Sequence, residues 1–257
     1  MRYSLLLVLS LIGCGGSTGN AFVTFNATAS GPSDASGSLS FTNAQGAQVT
    51  LSQAKLHVGA IYLNQSRPIS GAASQPCISQ GIYVAQVFGP VDVDLLSSSP
   101  MPFPNQGSGT ETAAKTAEVW LTGGDVNATV DTTVILDVTG TANQGGQDYP
   151  FTASVTIGSN RQLQVTNRAT PGANPICHQR IVTPISIDFT PTNGGTLALQ
   201  IDPRPMFNTV DFTQLTQVSD APLYAIPDDN SGPGAALFKG MLANFGVYTF
   251  AWQAAGQ

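Results

Sequence analysis

The chain consists of short stretches in which apolar and polar residues alternate, separated by clusters of Gly, Pro and Asn. Alternation is typical of β-strands, because successive side chains of a strand point to opposite faces of the sheet. The longer period of an amphipathic helix is almost absent. We therefore predict an all-β fold, an antiparallel β-sandwich with one or two short helices near the C-terminus.

Strands are predicted wherever alternating or β-branched runs are bounded by turn residues. They are expected at Phe22–Ala29, Gly37–Asn43, Val49–Leu51, Lys55–Leu63, Ile82–Phe88, Val91–Leu96, Glu118–Leu121, Thr132–Gly140, Tyr149–Gly158, Ile176–Phe189, Leu197–Ile201 and Val247–Trp252. Short helices are expected at Met206–Leu215 and Ala235–Asn244. Because proline cannot donate to a ladder, Pro184 should lie in an edge strand or where the chain changes sheets.

Turns and irregular segments complete the pattern. The clearest hairpin is expected where Asn143–Gln147, which contains two glycines, follows one strand and precedes the next. Ser97–Thr116 and Ala169–Pro175 are polar and predict long irregular segments, which in compact domains are often functional or disordered. No linker divides the body, so we expect one domain over residues 21–257.

The amino-terminal residues have the layout of a signal peptide. Arg2 precedes an apolar run, Leu5–Ile12, that is too short to cross a bilayer. The run ends in Leu11-Ile12-Gly13-Cys14, which resembles the lipobox of bacterial lipoproteins. The resemblance implies a signal peptide at 1–13, acylation of Cys14 and a lipidated tether over 14–20.

The same resemblance implies a location. Lipoproteins kept at the inner membrane often have Asp after the acylated cysteine, whereas this chain has Gly15, which favours the outer membrane. Two or more acyl chains anchor a protein stably. The alternative is an uncleaved hydrophobic leader that contains Cys14 by chance.

The composition limits the classes of macromolecule that this protein could bind. Charged residues make up 9% of the chain and the formal net charge is −6. The few basic residues are scattered, which argues against nucleic acid, because its binding requires clustered cations. The surface should be polar but largely uncharged, so an envelope protein or polysaccharide is the macromolecular partner we expect.

Two cysteines remain beside Cys14. Disulfides persist in exported proteins, so we predict a bridge between Cys77 and Cys177. In the chain-entropy model, such a loop contributes up to about 4.7 kcal/mol. The alternative is that both are free thiols that serve as metal ligands.

Two histidines are the candidate metal ligands. His57 lies within a predicted strand and His178 directly follows Cys177. Imidazole suits copper and zinc, and the thioether of Met101, Met206 or Met241 could add a soft ligand for Cu(I). The spacing forms no compact motif, so the alternative is one buried, hydrogen-bonded histidine and one exposed histidine.

Several segments together resemble the MbnP-like family of exported copper-binding β-sandwich proteins. They are Phe41–Leu63, Val93–Leu96, Cys177–Phe189, Leu199–Asp202 running on to Phe207, and Val210-Asp211. The resemblance implies a β-sandwich and copper binding. Many members have four cysteines where this chain offers two, and some bind copper beside an oxidised tryptophan, for which Trp120 and Trp252 are the available residues.

Other motifs predict structure rather than catalysis. Gly15–Gly19 fits the GxSxG pattern but lies in the tether, where no strand-to-helix elbow can form. The two glutamates, Glu111 and Glu118, do not form a recognisable catalytic pair. Asp228–Gly232 predicts a turn, with a calcium site as the alternative. Arg204 is expected to form a bidentate ion pair with Asp202 or Asp211, or to bind a ligand carboxylate.

These observations together predict a non-catalytic lipoprotein of the outer membrane that acts as a binding module, with copper at His57 and His178 as the candidate ligand. The competing prediction is a structural or adhesion module without metal. We expect no enzymatic activity, because few titratable side chains could converge on one pocket.

Overall fold

The computed structural model describes residues 20–66, 82–122, 128, 131–161, 179–218 and 222–256. These residues are mostly strands, with a short α-helix near the C-terminus, so the predicted fold class is confirmed. The strands are β1 (Phe22–Ser30), β2 (Leu39–Thr42), β3 (Gln48–Asn64), β4 (Tyr83–Asp94), β5 (Met101–Pro102), β6 (Gly107–Thr110), β7 (Ala114–Trp120), β8 (Val134–Gln144), β9 (Gln147–Thr156), β10 (Ile181–Phe189), β11 (Thr196–Ile201), β12 (Thr216–Gln217), β13 (Tyr224–Ala225) and β14 (Tyr248–Gln253). The helix α1 spans Gly232–Met241, and 3₁₀ helices span Ser159–Arg161, Arg204–Phe207 and Phe212–Gln214.

The strands form one large mixed sheet that is not closed. Its main order is β12-β13-β9-β8-β3-β4-β6-β1-β11-β14, with β7 also beside β3, and β10 beside β7. Most pairs are antiparallel, as predicted, whereas β1 with β11 and β9 with β13 are parallel. Phe189 of β10 stacks on Trp252 of β14 with ring centroids 5.7 Å apart, which brings distant strands together over the core.

Strand β3 is the centre of this arrangement. It pairs with β2 and β4 along one edge and with β8 and β7 along the other. The register shifts between Val58 and Ala60, so Val58 and Ile61 both face the core although they are three positions apart, a spacing that puts side chains of a regular strand on opposite faces. Two predicted strands, Val49–Leu51 and Lys55–Leu63, are thus parts of one 17-residue strand.

The predicted hairpin is present, while one predicted loop is shorter than expected. Strands β8 and β9 are joined through Gly145 and Gly146, whose φ angles are 65° and 83°. The polar segment Ser97–Thr116 contains β5, β6 and the start of β7. Its glycines leave little hydrophobic pattern, yet Gly109 lets β6 approach β4 so closely that an added Cβ would lie 2.3 Å from the carbonyl oxygen of Val84.

The C-terminal elements close one end of the core. Met206, Phe207, Phe212 and Leu237 are fully buried between the 3₁₀ helices and α1. Both predicted helical regions are therefore confirmed, although the first is two short 3₁₀ turns.

Pro184 lies in β10, which among the described strands pairs only with β7, so the predicted edge position is also confirmed.

Candidate functional site

Most of the residues predicted to carry function fall beyond the described ranges. Cys14, Cys77, Cys177 and His178 all lie outside the described residues. Acylation of Cys14 and the disulfide between Cys77 and Cys177 therefore stay predictions. His57 is described, and its surroundings define the first candidate site.

His57 lies on the outer face of β3, with 15% of its side chain exposed. Its Nδ1–H donates to Oδ1 of Asp92 on the neighbouring strand β4, at 2.8 Å. The other ring nitrogen, Nε2, is buried and has no hydrogen-bond partner. Because a carboxylate only accepts hydrogen bonds, this contact places the proton on Nδ1 and leaves the lone pair of Nε2 free in the neutral ring.

The surface around His57 is a shallow pocket of about 260 Å³ with a negative balance of charge. Asp92 and Asp137 line it together with one cation, Lys55, whose Nζ lies 3.8 Å from Oδ2 of Asp92. Within the described part of the chain, no three His, Cys, Asp or Glu side chains are close enough to hold a metal ion. A set of three such side chains around a metal at His57 would therefore have to include one from outside the described residues.

The loop Asp228–Gly232 is a structural turn. Arg161, which is fully buried, donates to Oδ1 of Asp228 at 2.6 Å and also donates to the carbonyl oxygen of Asp229. Oδ1 of Asp229 accepts from the backbone and hydroxyl of Ser231. A guanidinium and local donors thus hold this loop as a hydrogen-bonded turn, as the sequence predicted.

Arg204 forms the bidentate pair that the sequence predicted, with Asp202 rather than Asp211. Its Nε lies 2.9 and 3.0 Å from the two carboxylate oxygens of Asp202. Its terminal nitrogens also donate to Asp34, at 2.8 and 3.2 Å. These bonds lower the pKa of the Asp34 carboxyl. Arg204 ties the turn after β1 to the residues that follow β11, which is a structural role.

Sequence reasoning missed a second candidate site on the outer face of β3, β4 and β7. We call it the outer-face cluster and define it as Tyr62, Asn64, Tyr83, Glu118 and Trp120. Across β3 and β7, Tyr62 is the direct neighbour of Glu118, and Asn64 is the neighbour of Tyr83 across β3 and β4. The ring of Tyr62 lies 4.6 Å from that of Trp120 and 5.3 Å from that of Tyr83.

Glu118 is the charged group of the outer-face cluster, and it is 1% exposed. Its Oε2 accepts from Nε1 of Trp120 at 2.9 Å and from the hydroxyl of Tyr83 at 3.4 Å. Burial raises the pKa of the Glu118 carboxyl, while Trp120, Tyr83 and Asn64 oppose this rise. Among the described residues, no Lys, Arg or His forms an ion pair with Glu118.

Three buried polar atoms of the outer-face cluster form no hydrogen bond of ordinary geometry. They are Oε1 of Glu118 and both Nδ2 and Oδ1 of Asn64, a fully buried residue that is nevertheless close enough to Glu118 to lower the pKa of its carboxyl. Buried polar groups are nearly always paired, so unpaired ones require an explanation.

The sequence held a weak signal for the outer-face cluster, since Glu118 and Trp120 share one face of β7 and the alternate residues Ala117 and Val119 face the core.

Comparison with known proteins found no counterpart: no family model, curated protein or solved structure matches the chain. The resemblances to bacterial lipoproteins and to MbnP-like proteins remain predictions from the sequence. Within the described ranges, no helix combines the length and apolar character needed to cross a membrane.

Proposed function

We propose that this protein is a non-catalytic, lipid-anchored binding module of the outer membrane, and that it binds copper through His57 and His178. The observation that carries the proposal is the free, buried Nε2 of His57 behind the bond from Nδ1 to Asp92. Histidine ligands of metals almost always donate their second ring N–H to a carboxylate, carbonyl or water, which orients the ring and makes the ligating nitrogen more basic.

The chemistry around His57 fits a cation. Imidazole nitrogen is a good ligand for copper and zinc. Asp92 and Asp137 outnumber the single ammonium of Lys55 in the pocket. The electrostatic potential of the pocket therefore favours a cation. The described residues supply one imidazole, that of His57.

His178 is the other histidine of the sequence and lies outside the described residues, so its part in the proposal rests on the sequence alone. A metal held by both imidazoles would lie about 2.0 Å from each ligating nitrogen.

The test is the copper and zinc content of the purified chain, measured by elemental analysis after equilibration with each metal. We expect about one copper per chain, lost in the His57→Ala, His178→Ala double variant. Asp92→Asn should weaken copper binding by about 10- to 100-fold, because it removes the carboxylate that orients the ring.

The matched control is Asp137→Asn, which removes the same charge from the same pocket without touching the ring nitrogen. It should leave copper affinity within about twofold, as expected for a screened surface charge. Wild-type protein without metal, or an unchanged content in the double variant, would overturn the copper proposal. The structural or adhesion module would then be the working description.

A further inference from the structure

The outer-face cluster holds a buried carboxylate without a countercharge. Glu118 is 1% exposed and forms no ion pair with a described residue, while its Oε1 has no hydrogen-bond partner. Asn64 beside it is fully buried, and neither polar atom of its amide forms a hydrogen bond of ordinary geometry. Buried charges in folded proteins are paired, so a countercharge for Glu118 is missing among the described residues.

The missing component must donate hydrogen bonds and carry positive charge. An ionised carboxylate only accepts, and the Oδ1 of Asn64 accepts as well. The neighbouring rings of Tyr62 and Trp120 present π faces, which attract cations and repel anions.

We propose that the outer-face cluster is a binding site for a small organic cation, with its ammonium group held between Oε1 of Glu118 and the amide of Asn64 and flanked by Tyr62 and Trp120. An anion would be repelled by Glu118 and by a chain of net charge −6. A neutral ligand would leave the buried carboxylate without a countercharge.

The edge of the cluster on β4 offers a route of approach. Phe88 is 45% exposed and its ring lies 5.7 Å from that of Tyr62. Ile82, next to Tyr83, is 60% exposed. An alkyl chain attached to the ammonium group would pack against these two side chains and remove their exposed apolar surface from water.

The site is independent of the proposed copper ligands. His57 lies on the same strand as Tyr62, but it bonds to Asp92 rather than to any member of the cluster. Titrations in the presence of a chelator, and on the His57→Ala variant, therefore test the organic cation alone. Failure of the copper proposal would leave their outcome unchanged.

The experiment is isothermal titration calorimetry of the full chain with butylammonium chloride as the probe, at constant ionic strength. We expect saturable binding to wild type and at least a tenfold weaker affinity for Glu118→Gln, because a charge-assisted hydrogen bond is replaced by a neutral one. Asn64→Leu, an apolar substitution of similar size, should also weaken binding about tenfold. It provides a second variant should Glu118→Gln fold poorly.

Two controls make the outcome decisive. Glu111→Gln removes the same charge at an exposed position and should bind the probe as wild type does. Butanol, which has the alkyl chain without the charge, should not bind. A Trp252→Phe background makes Trp120 the remaining tryptophan, whose fluorescence should change on binding because its Nε1–H donates to Glu118.

Absence of binding to the wild type would overturn the proposal. So would equal affinity for wild type and Glu118→Gln, or equal binding of butanol and butylammonium.

Discussion

At the scale of single residues, Glu118 and His57 share one arrangement. Oε2 of Glu118 accepts from Trp120 and Tyr83, and Nδ1 of His57 donates to Asp92. The second polar atom of each side chain is buried and has no hydrogen-bond partner. Both lie on strands whose other face is buried in the core. The strands hold these side chains in place.

Glu118 should make stability depend on pH. Because burial raises its folded pKa above the ordinary glutamate value, the folded state holds the proton more tightly than the unfolded state. The free energy of unfolding should therefore fall as pH rises through the range between the two values, and stay lower above it. Urea unfolding of Glu118→Gln, followed by circular dichroism, should show this fall removed and stability at neutral pH increased by about 1 kcal/mol.

Glu111→Gln is the control for this measurement, since Glu111 is exposed and its loss should leave the pH dependence as in wild type. Tyr62 and Tyr83, which face Glu118, do not interfere, because burial raises the pKa of both phenols further from neutral. A wild-type profile retained by Glu118→Gln would contradict the assignment.

The buried arginines show what residue-level patterns miss. Arg161 and Arg180 are fully buried, and their guanidinium groups bond to backbone carbonyls, including that of Ile157 for Arg180. Arg161 also lies 4.3 Å from the ring centre of Phe238 in α1. Nothing beside them in the sequence distinguishes them from exposed arginines, because their partners come from distant segments.

At the scale of elements, alternation predicted strands well but not their lengths. The pairing of β3 with β8 shifts between Leu51 and Gln53, where the sequence predicted that one strand ends, although the backbone continues as one strand. Likewise, Gly89 and Pro90 separated two predicted strands that β4 joins. A bulge changes which face a residue occupies without ending the hydrogen-bonded ladder, so the pattern breaks where the strand does not.

The β8–β9 hairpin gives a prediction at this scale. Gly146 has a φ of 83°, and a Cβ added there meets no other atom within 4 Å. Gly146→Ala should therefore cost about 1 kcal/mol through backbone strain alone, measured as the change in free energy of unfolding.

Gly146→Asn is the matched control, because Asn tolerates the left-handed region better than other residues. It should be less destabilising than Gly146→Ala. Equal losses in the two variants would indicate that side-chain contacts, rather than φ, decide the stability of this turn.

At the scale of the whole molecule, the lipid anchor remains the central expectation. The lipobox resemblance implies that Cys14 is acylated, which would hold the domain at the membrane through a tether. We expect the wild-type chain to incorporate labelled palmitate and to be recovered in the membrane fraction. The Cys14→Ala variant should show neither the label nor membrane recovery.

Cys77→Ala serves as the control for acylation, since it removes a thiol while leaving the lipobox intact. It should retain the label. Label in Cys14→Ala, or none in wild type, would contradict the lipoprotein assignment.

The sequence by itself determined the strand-rich class, the main hairpin and the helical end, because each depends on local periodicity or on neighbours in the chain. Only the tertiary structure decided that Asp92 orients His57, that Arg161 fills the Asp228 loop, and that Glu118 lies buried beside Asn64. These contacts join different strands or distant segments, and register together with burial depends on the whole sheet. Local patterns of the sequence therefore do not predict that register.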